Sequence, residues 1–339
     1  MGFINALGAL TDRRDLTMVQ TESVIGAFMD GTLSAARGAA VLSALATKGE
    51  SGEEIVGAAR AMRERSAHVE HRLPVVLDVC GTGGDGHHTI NISTIAAFVI
   101  AAAGVPVAKH GNRAASSVCG SADVLEAAGL KIEMEPGDAA RRIHESNFAF
   151  LYAPLYHPAM KHVAPIRREL GVRTIFNVLG PLTNPASATH QVVGVAHKAH
   201  LELVARALRE LGVQAAAVVH ARNGMDEVAG DVPTDVCSFD AHGEHRWAID
   251  PRCYGVDTPL AALQASAAAE NLEAFLSILQ GERSPRADVV ALNAGLALQV
   301  AGAAIDLREG FRLALDTLHS GAAYQLFIGS RDGFGDCAA

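Results

Sequence analysis

The residues best suited to chemistry fall in three short stretches, and all three suit a polyanion. The first is Gly81-Thr82-Gly83-Gly84-Asp85-Gly86, four glycines in six residues, directly after the apolar run Val75 to Val79 and Cys80. A strand that enters such a loop and continues into a helix exposes consecutive backbone N–H groups where the helix dipole favours anions, so phosphate is the natural ligand. The second is Lys109-His110-Gly111-Asn112-Arg113-Ala114-Ala115-Ser116-Ser117, which follows the run Val105 to Ala108. It offers ammonium, guanidinium, amide and hydroxyl donors, with Gly111 allowing close backbone approach. The third is Asp226-Glu227, beyond the turn Asn223-Gly224. Carboxylates repel phosphates unless a hard cation lies between, and Mg²⁺ typically binds through one or two carboxylates plus phosphate oxygens and water. Together the stretches describe a diphosphate held by amides and cations on one side and through Mg²⁺ on the other.

Plainer readings compete. The glycine segment can be an ordinary strand-to-helix turn, Asn91, Ser93 and Thr94 can simply cap the next helix, and adjacent carboxylates are common on exposed turns. Gly81, Gly83 and Gly86 also fit G-x-G-x-x-G, the dinucleotide fingerprint. That motif opens its helix at once and wants an acidic residue about 20 positions later. Here Thr89 to Thr94 intervenes and the next strand ends in Lys109-His110, which leaves an NADP-dependent oxidoreductase as the rival from another reaction class. Against the plain readings stands the scarcity of charge: between Pro74 and Asp123 the only charged side chains are Asp78, Asp85, Lys109, Arg113 and Asp123.

The elements that must position these residues follow from periodicity. Up to about residue 72 the patterns are helical: Leu33 to Lys48 is rich in Ala and Leu, and Ser51 with Glu54 makes a capping box before a helix over Ile55 to Val69. From Pro74 short apolar runs alternate with helical stretches. Strands are expected at Val75 to Val79, Val105 to Ala108, Phe148 to Tyr152, Gln191 to Val195 and Ala215 to Val219, and helices at Ser93 to Ala103, Ala122 to Ala128 and Leu201 to Leu211. Late helices are expected over 269–280 and 286–303, the second buried. This alternation predicts an α/β class: a small α-helical domain over 1–72, joined by part of 155–190, and a larger domain over 73–335 with a central, largely parallel sheet flanked by helices.

Composition excludes several classes. Of 339 residues 49% are hydrophobic, ample for a large core, and 28 Lys+Arg against 37 Asp+Glu give a net charge of −9. That charge argues against a nucleic-acid coat, which needs clustered cations to displace counterions from phosphate. The nearly apolar run Ile95 to Ala108 is too short, and too interrupted by Gly104 and Pro106, to span a bilayer. No basic residue precedes Arg13, so a secretory signal is not expected. The five cysteines form no CxxC pair and read as reduced thiols of a cytoplasmic protein, not a zinc site.

Several longer motifs then carry a resemblance. The three stretches above, with Gly120 to Glu126, His157-Pro158-Ala159-Met160, Arg173 to Pro185 (RTIFNVLGPLTNP) and Gly224-Met225-Asp226-Glu227, closely resemble the anthranilate phosphoribosyltransferase family in order and spacing from about residue 20 to 325. Pyrimidine nucleoside phosphorylases share a related loop, but with Ser then Gly after Lys-His where this chain has Gly111-Asn112. The resemblance implies transfer of phosphoribosyl from 5-phosphoribosyl 1-diphosphate to the amine of anthranilate, in tryptophan biosynthesis, by a homodimer joined through the helical part. It implies that Gly81, Gly84, Asp85, Thr89, Asn91, Ile92, Ser93, Thr94, Lys109, His110, Gly111, Asn112, Arg113, Ala114, Ala115, Ser116, Ser117 and Ser121 contact the phosphoribosyl diphosphate. Ser93, Asp226 and Glu227 would serve Mg²⁺, and Gly81, Asn112 and Arg167 would hold anthranilate. Lys109, Asp226 and Glu227 would be the catalytic residues, acting on the leaving diphosphate.

Departures from the family pattern are local. His87-His88 stands where small or amide residues are usual, Val118-Cys119 replaces a commoner Lys-Ser, and Ala229 replaces a frequent Ser. The expectation is that His87 and His88 are harmless loop residues, the alternative being that His88 narrows or recharges the diphosphate entrance.

Overall fold

The structure, a computed structural model, describes residues 3–114 and 118–331. Four helices open it: α1 Phe3–Thr11, α2 Met18–Met29, α3 Ala35–Lys48 and α4 Gly52–Glu64. Side chains of Thr17, Ser34 and Ser51 fix the starts of α2, α3 and α4 by accepting from the N–H groups of Gln20, Arg37 and Glu54. The capping box at Ser51 and Glu54 is present in both arms. The buried Glu54 carboxylate does more, accepting from the N–H of Leu16 at 2.9 Å and from Lys48 Nζ at 2.8 Å. Helix α4 stops at Glu64 instead of reaching Val69. Beyond Arg65, whose guanidinium grips Asp30, the N–H groups of Ala67 and Val69 turn to the carbonyls of Tyr156 and Pro185.

Strands and helices then alternate: β1 Leu77–Gly81, α5 Ile92–Ala102, β2 Val107–Gly111, α6 Ser121–Ala127, α7 Pro136–Ser146 and β3 Phe148–Tyr152. After β3 the chain makes α8 Ala153–Tyr156, α9 Met160–Leu170 and α10 Phe176–Leu179, then β4 His190–Gly194, α11 His200–Glu210 and β5 Ala215–Ala221. A hairpin, β6 Thr234–Asp240 and β7 Gly243–Ile249, precedes α12 Leu260–Leu263, α13 Ala268–Leu279, α14 Pro285–Val300, α15 Leu307–His319 and α16 Ala322–Arg331. The sheet order is β3-β2-β1-β4-β5-β6-β7, parallel through β5 and antiparallel in the hairpin. The expected class is thus observed: a small helical domain and a larger α/β domain with a largely parallel sheet.

The sequence reading missed the hairpin. Strand β7 is mostly exposed and reads Gly-Glu-His-Arg-Trp, without an apolar run to mark it. Parallel strands buried on both faces are, by contrast, near-continuous apolar runs. One sheet face packs on α5 and the buried α14, where Phe98 meets Phe148, Phe275 and Phe327. The other face continues into the helical bundle: Val193 and Val218 share a cluster with Ile25, Leu42, Val56, Val163 and Ile175.

This order places a crevice. The chain leaves β1 for β2 on one side and later returns to β4 on the other, and in open α/β sheets ligands bind beyond the carboxyl ends of strands at such a switch point. Gly81 and Gly194 pair there.

Candidate functional site

A cavity of about 350 Å³ opens at that switch point, and the glycine loop, the N-terminus of α5, the end of β2 and the Asp226-Glu227 turn form its walls. Lys109 is its deepest cation. The side chain is only 2% exposed, and Nζ donates to the Val79 carbonyl at 2.6 Å and to Ser93 Oγ at 3.2 Å. Behind it lies the fully buried Asp78, whose Oδ1 accepts from the N–H of His110 and whose Oδ2 accepts from Asn184 Nδ2 at 2.8 Å. Burial raises the Asp78 pKa, while Lys109 and His110 pull it back. Asp78 thereby holds the backbone at the end of β2, from which the basic loop departs.

The helix entry differs from a simple cap. Asn91 makes no side-chain bond to the first turn of α5; its Nδ2 donates to the Cys119 carbonyl at 3.1 Å and ties the helix start to the basic loop. Thr89, Ile90, Ile92, Ser93 and Thr94 line the same wall.

Across the cavity lie the carboxylates. Asp226 Oδ2 accepts from the Gly83 N–H at 2.7 Å, and a Cβ on Gly81 would collide with that carboxylate, so glycine is required where β1 meets the acidic turn. Glu227 faces the Ser93 backbone at the start of α5, which favours its ionised form. Asp85 lies outside the cavity lining and meets Asp226 side chain to side chain. Burial raises the pKa of both Asp226 and Glu227, and the neighbouring carboxylates, Asp85 for Asp226 and Asp226 for Glu227, push the same way. Among the described residues Lys109 is the main cation that eases Glu227, against burial and two neighbouring carboxylates. Among the described residues no three His, Cys, Asp or Glu side chains converge as a ready cage. Two half-buried carboxylates and a hydroxyl facing a phosphate-sized space fit Mg²⁺, which keeps waters and takes phosphate oxygens as its remaining ligands.

The basic loop is braced from outside. Arg113 reaches Glu126 with two nitrogens, at 2.7 and 3.1 Å, and also meets Asp123 and Tyr152. Asp123 accepts from the N–H groups of Ala114 and Gly120; partial burial would raise its pKa, but these amides and Arg113 hold it below the ordinary value. Ser121 Oγ donates to the Asn112 carbonyl. Gly84, Lys109, His110, Gly111, Asn112, Arg113, Ala114 and Ser121 all line the cavity, whereas the expected contacts Ala115, Ser116 and Ser117 lie outside the described residues.

A second cavity, about 520 Å³ and mostly apolar, adjoins the first and shares Cys80, Gly81, His110, Gly111 and Asn112 with it. Arg167, half-buried on α9, lines it with Phe176, Met62 and Met160. Burial lowers the Arg167 pKa, its guanidinium lies 5.6 Å from the Phe176 ring centre, and Nη2 donates to Asn177 Oδ1 at 3.4 Å. His110 and His157 meet at 3.2 Å on the shared wall. Gly81, Asn112 and Arg167 are thus brought to one cavity. Met62, His157, Met160, Arg173, Phe176 and Asn177 also line these cavities without having been singled out by residue-level reasoning; the RTIFN run was the signal for half of them.

Comparison with known proteins gives the lineage. Residues 73–324 match the glycosyl transferase family a/b domain and residues 4–66 its helical bundle domain. The anthranilate phosphoribosyltransferase of Symbiobacterium thermophilum is 47% identical over 327 residues, 96% of each chain. That of Myxococcus xanthus is 47% identical over 320 residues, 94% of this chain and 95% of its own. The chain belongs to the anthranilate phosphoribosyltransferase family. Among solved members, the Thermus thermophilus enzyme superposes with a TM-score of 0.91 at 43% identity, covering 96% of this chain and 98% of that one. The Saccharomyces cerevisiae enzyme in complex with PRPP and Mg superposes with a TM-score of 0.89 at 27% identity, covering 98% and 97%. As a member of this family the chain is a phosphoribosyltransferase enzyme, a pentosyltransferase. Among the described residues no helix is long and apolar enough to cross a membrane.

Proposed function

We propose that this enzyme transfers the phosphoribosyl group of 5-phosphoribosyl 1-diphosphate to the amine of anthranilate, with Mg²⁺, giving N-(5-phosphoribosyl)anthranilate and diphosphate in tryptophan biosynthesis. The observation that carries the reading is the pair of adjoining cavities: one polar, with Lys109 and two half-buried carboxylates, the other apolar, with Arg167, meeting at Gly81 and His110 to Asn112. The yeast relatives hold PRPP and Mg in one structure and 4-fluoroanthranilate in another.

In this reading the glycine-loop amides and the 109–117 loop bind the phosphoribosyl diphosphate, and Arg167 pairs with the anthranilate carboxylate as a planar fork can. Asp226, Glu227 and Ser93 hold Mg²⁺, which supplies charge neutralisation on diphosphate oxygens when bound. Lys109 donates to the same leaving group from the strand side. These fixed charges favour the transition state, where negative charge grows on the departing diphosphate and positive charge on the ribose. The shared wall holds the amine close to ribose C1, so attack becomes effectively intramolecular. The helical part, 1–72 with part of 155–190, serves as the dimer contact, 73–335 carries the chemistry, and the protein works in the cytoplasm.

Loss of anthranilate fluorescence on mixing with phosphoribosyl diphosphate and Mg²⁺, with each component omitted in turn, tests the reading. No loss with all three present, or equal loss without Mg²⁺, would overturn it or its metal dependence respectively.

A further inference from the structure

The cations around the phosphate-sized cavity are unequally committed. Lys109 is fixed by Val79 and Ser93 and faces the carboxylates. Arg113 is engaged by Glu126, Asp123 and Tyr152. Arg173, in the segment between α9 and α10, lines the same cavity, yet among the described residues it pairs with no carboxylate. Its guanidinium reaches only the carbonyls of Gly84 and Gly83, at 3.4 and 3.5 Å. Contacts that long are weak and cheap to exchange.

Gly84 makes room for it. A Cβ there would collide with Arg173 Nη1, and the residue's φ of +77° already favours glycine. The loop position expected to approach phosphate is thus covered by an arginine from a segment distant in sequence. Just beyond that segment, in α10, Asn177 lines the cavity and holds Arg167 in the adjoining one. A full, unpaired positive charge over a phosphate-binding loop has one obvious partner, and a guanidinium matches phosphate oxygens with paired donors.

We propose that Arg173 is a further diphosphate-binding residue of this enzyme, exchanging the Gly83 and Gly84 carbonyls for oxygens of the leaving diphosphate. The proposal rests on the transferase reading above. As the bond from ribose C1 to the diphosphate oxygen breaks, its electron pair stays on that oxygen, and Arg173 N–H groups donate to the diphosphate without giving up a proton. No further reactant is needed.

Isothermal titration with inorganic diphosphate in Mg²⁺ buffer, and separately with ribose 5-phosphate, tests this on the wild-type protein, Arg173→Ala and Arg173→Lys. Loss of charge-assisted hydrogen bonds of this kind should weaken diphosphate binding about ten- to hundredfold in Arg173→Ala, with Arg173→Lys between. Ribose 5-phosphate affinity and the thermal midpoint should not move. Unchanged diphosphate affinity in Arg173→Ala, while the wild type binds diphosphate and consumes anthranilate, would overturn the role of Arg173 alone. Equal weakening of both ligands would mark the residue as merely structural and overturn it too. A wild type that neither binds diphosphate nor consumes anthranilate would sink the transferase reading, and this proposal with it.

Discussion

His87 Nε2 lies 3.0 Å from the carbonyl oxygen of Asn223. A carbonyl only accepts, so this nitrogen carries the proton, and the bond joins the glycine loop to the turn that bears Asp226 and Glu227. The Gln264 amide holds the His87 carbonyl, and the next residue, His88, takes a left-handed φ of 53° with its own carbonyl bonded to the Ala265 N–H. His87 is therefore a strap between two walls of the cavity, and His88 lines that cavity. Replacing His87 by Ala should raise KM for phosphoribosyl diphosphate about fivefold, the worth of one ordinary hydrogen bond, with KM for anthranilate unchanged. Steady-state kinetics with each substrate varied in turn measures the split; an equal rise in both constants would contradict the strap.

What the sequence disclosed and what it hid divide along a physical line. Strands β1 to β5 were visible because burial on both faces demands uninterrupted apolar runs. The three site stretches were visible because Gly, Lys, Asn and Arg are conspicuous in an apolar surround. Hidden were the groups whose meaning depends on a partner far along the chain. Asp78 looked like one more sparse charge until Asn184, 106 residues away, was seen to bind it. Arg173 and Asn177 were legible only as part of a long motif, since nothing local says that one covers Gly84 and the other holds Arg167.

Asn177 gives a sharper test of the acceptor side. Its Oδ1 accepts from the Thr174 N–H at 2.9 Å and from Arg167 Nη2 at 3.4 Å, so it both closes the turn into α10 and aims the guanidinium. In Asn177→Ala the fork loses its rest, and KM for anthranilate should rise about tenfold while KM for phosphoribosyl diphosphate stays within about twofold. Arg167→Ala should give the same pattern more strongly. A variant of either kind that chiefly impaired phosphoribosyl diphosphate would reverse the assignment of the two cavities.

The acidic turn should show opposed effects on stability and activity. Partial burial of Glu227 and the Asp226 carboxylate beside it both disfavour its ionised form. Because its folded-state pKa is raised, the carboxylate lowers stability at neutral pH, and the loss develops as pH climbs above the ordinary carboxylate range. Glu227→Gln should therefore raise the thermal midpoint in metal-free buffer. It should also lower Mg²⁺-dependent turnover about a hundredfold or more, the usual scale for losing a fixed electrostatic stabiliser. Calorimetry and the fluorescence assay on the same preparation check both halves; a destabilised variant with full turnover would refute both.

The paired histidines at the shared wall set the acid limit. His110 Nδ1 donates to the Gly180 carbonyl, which leaves its Nε2 to accept from His157 Nε2. Burial of both rings favours these neutral forms. Burial, and next the His110 ring, push His157 down to about 3, and burial lowers His110 as well. A histidine whose folded-state pKa is depressed binds its proton more readily in the unfolded chain, so stability falls as pH drops below about 6.5 and goes on falling towards the folded-state value. For His157 alone this amounts to about 2 kcal/mol between pH 7 and pH 5. Urea unfolding at both pH values, on wild type and on His157→Gln, isolates that share together with any change it imposes on His110, because titrating groups out of contact cancel in the difference. The wild type should lose about 2 kcal/mol more than the variant over this interval. Equal losses would mean that His157 already carries its second proton in the folded protein.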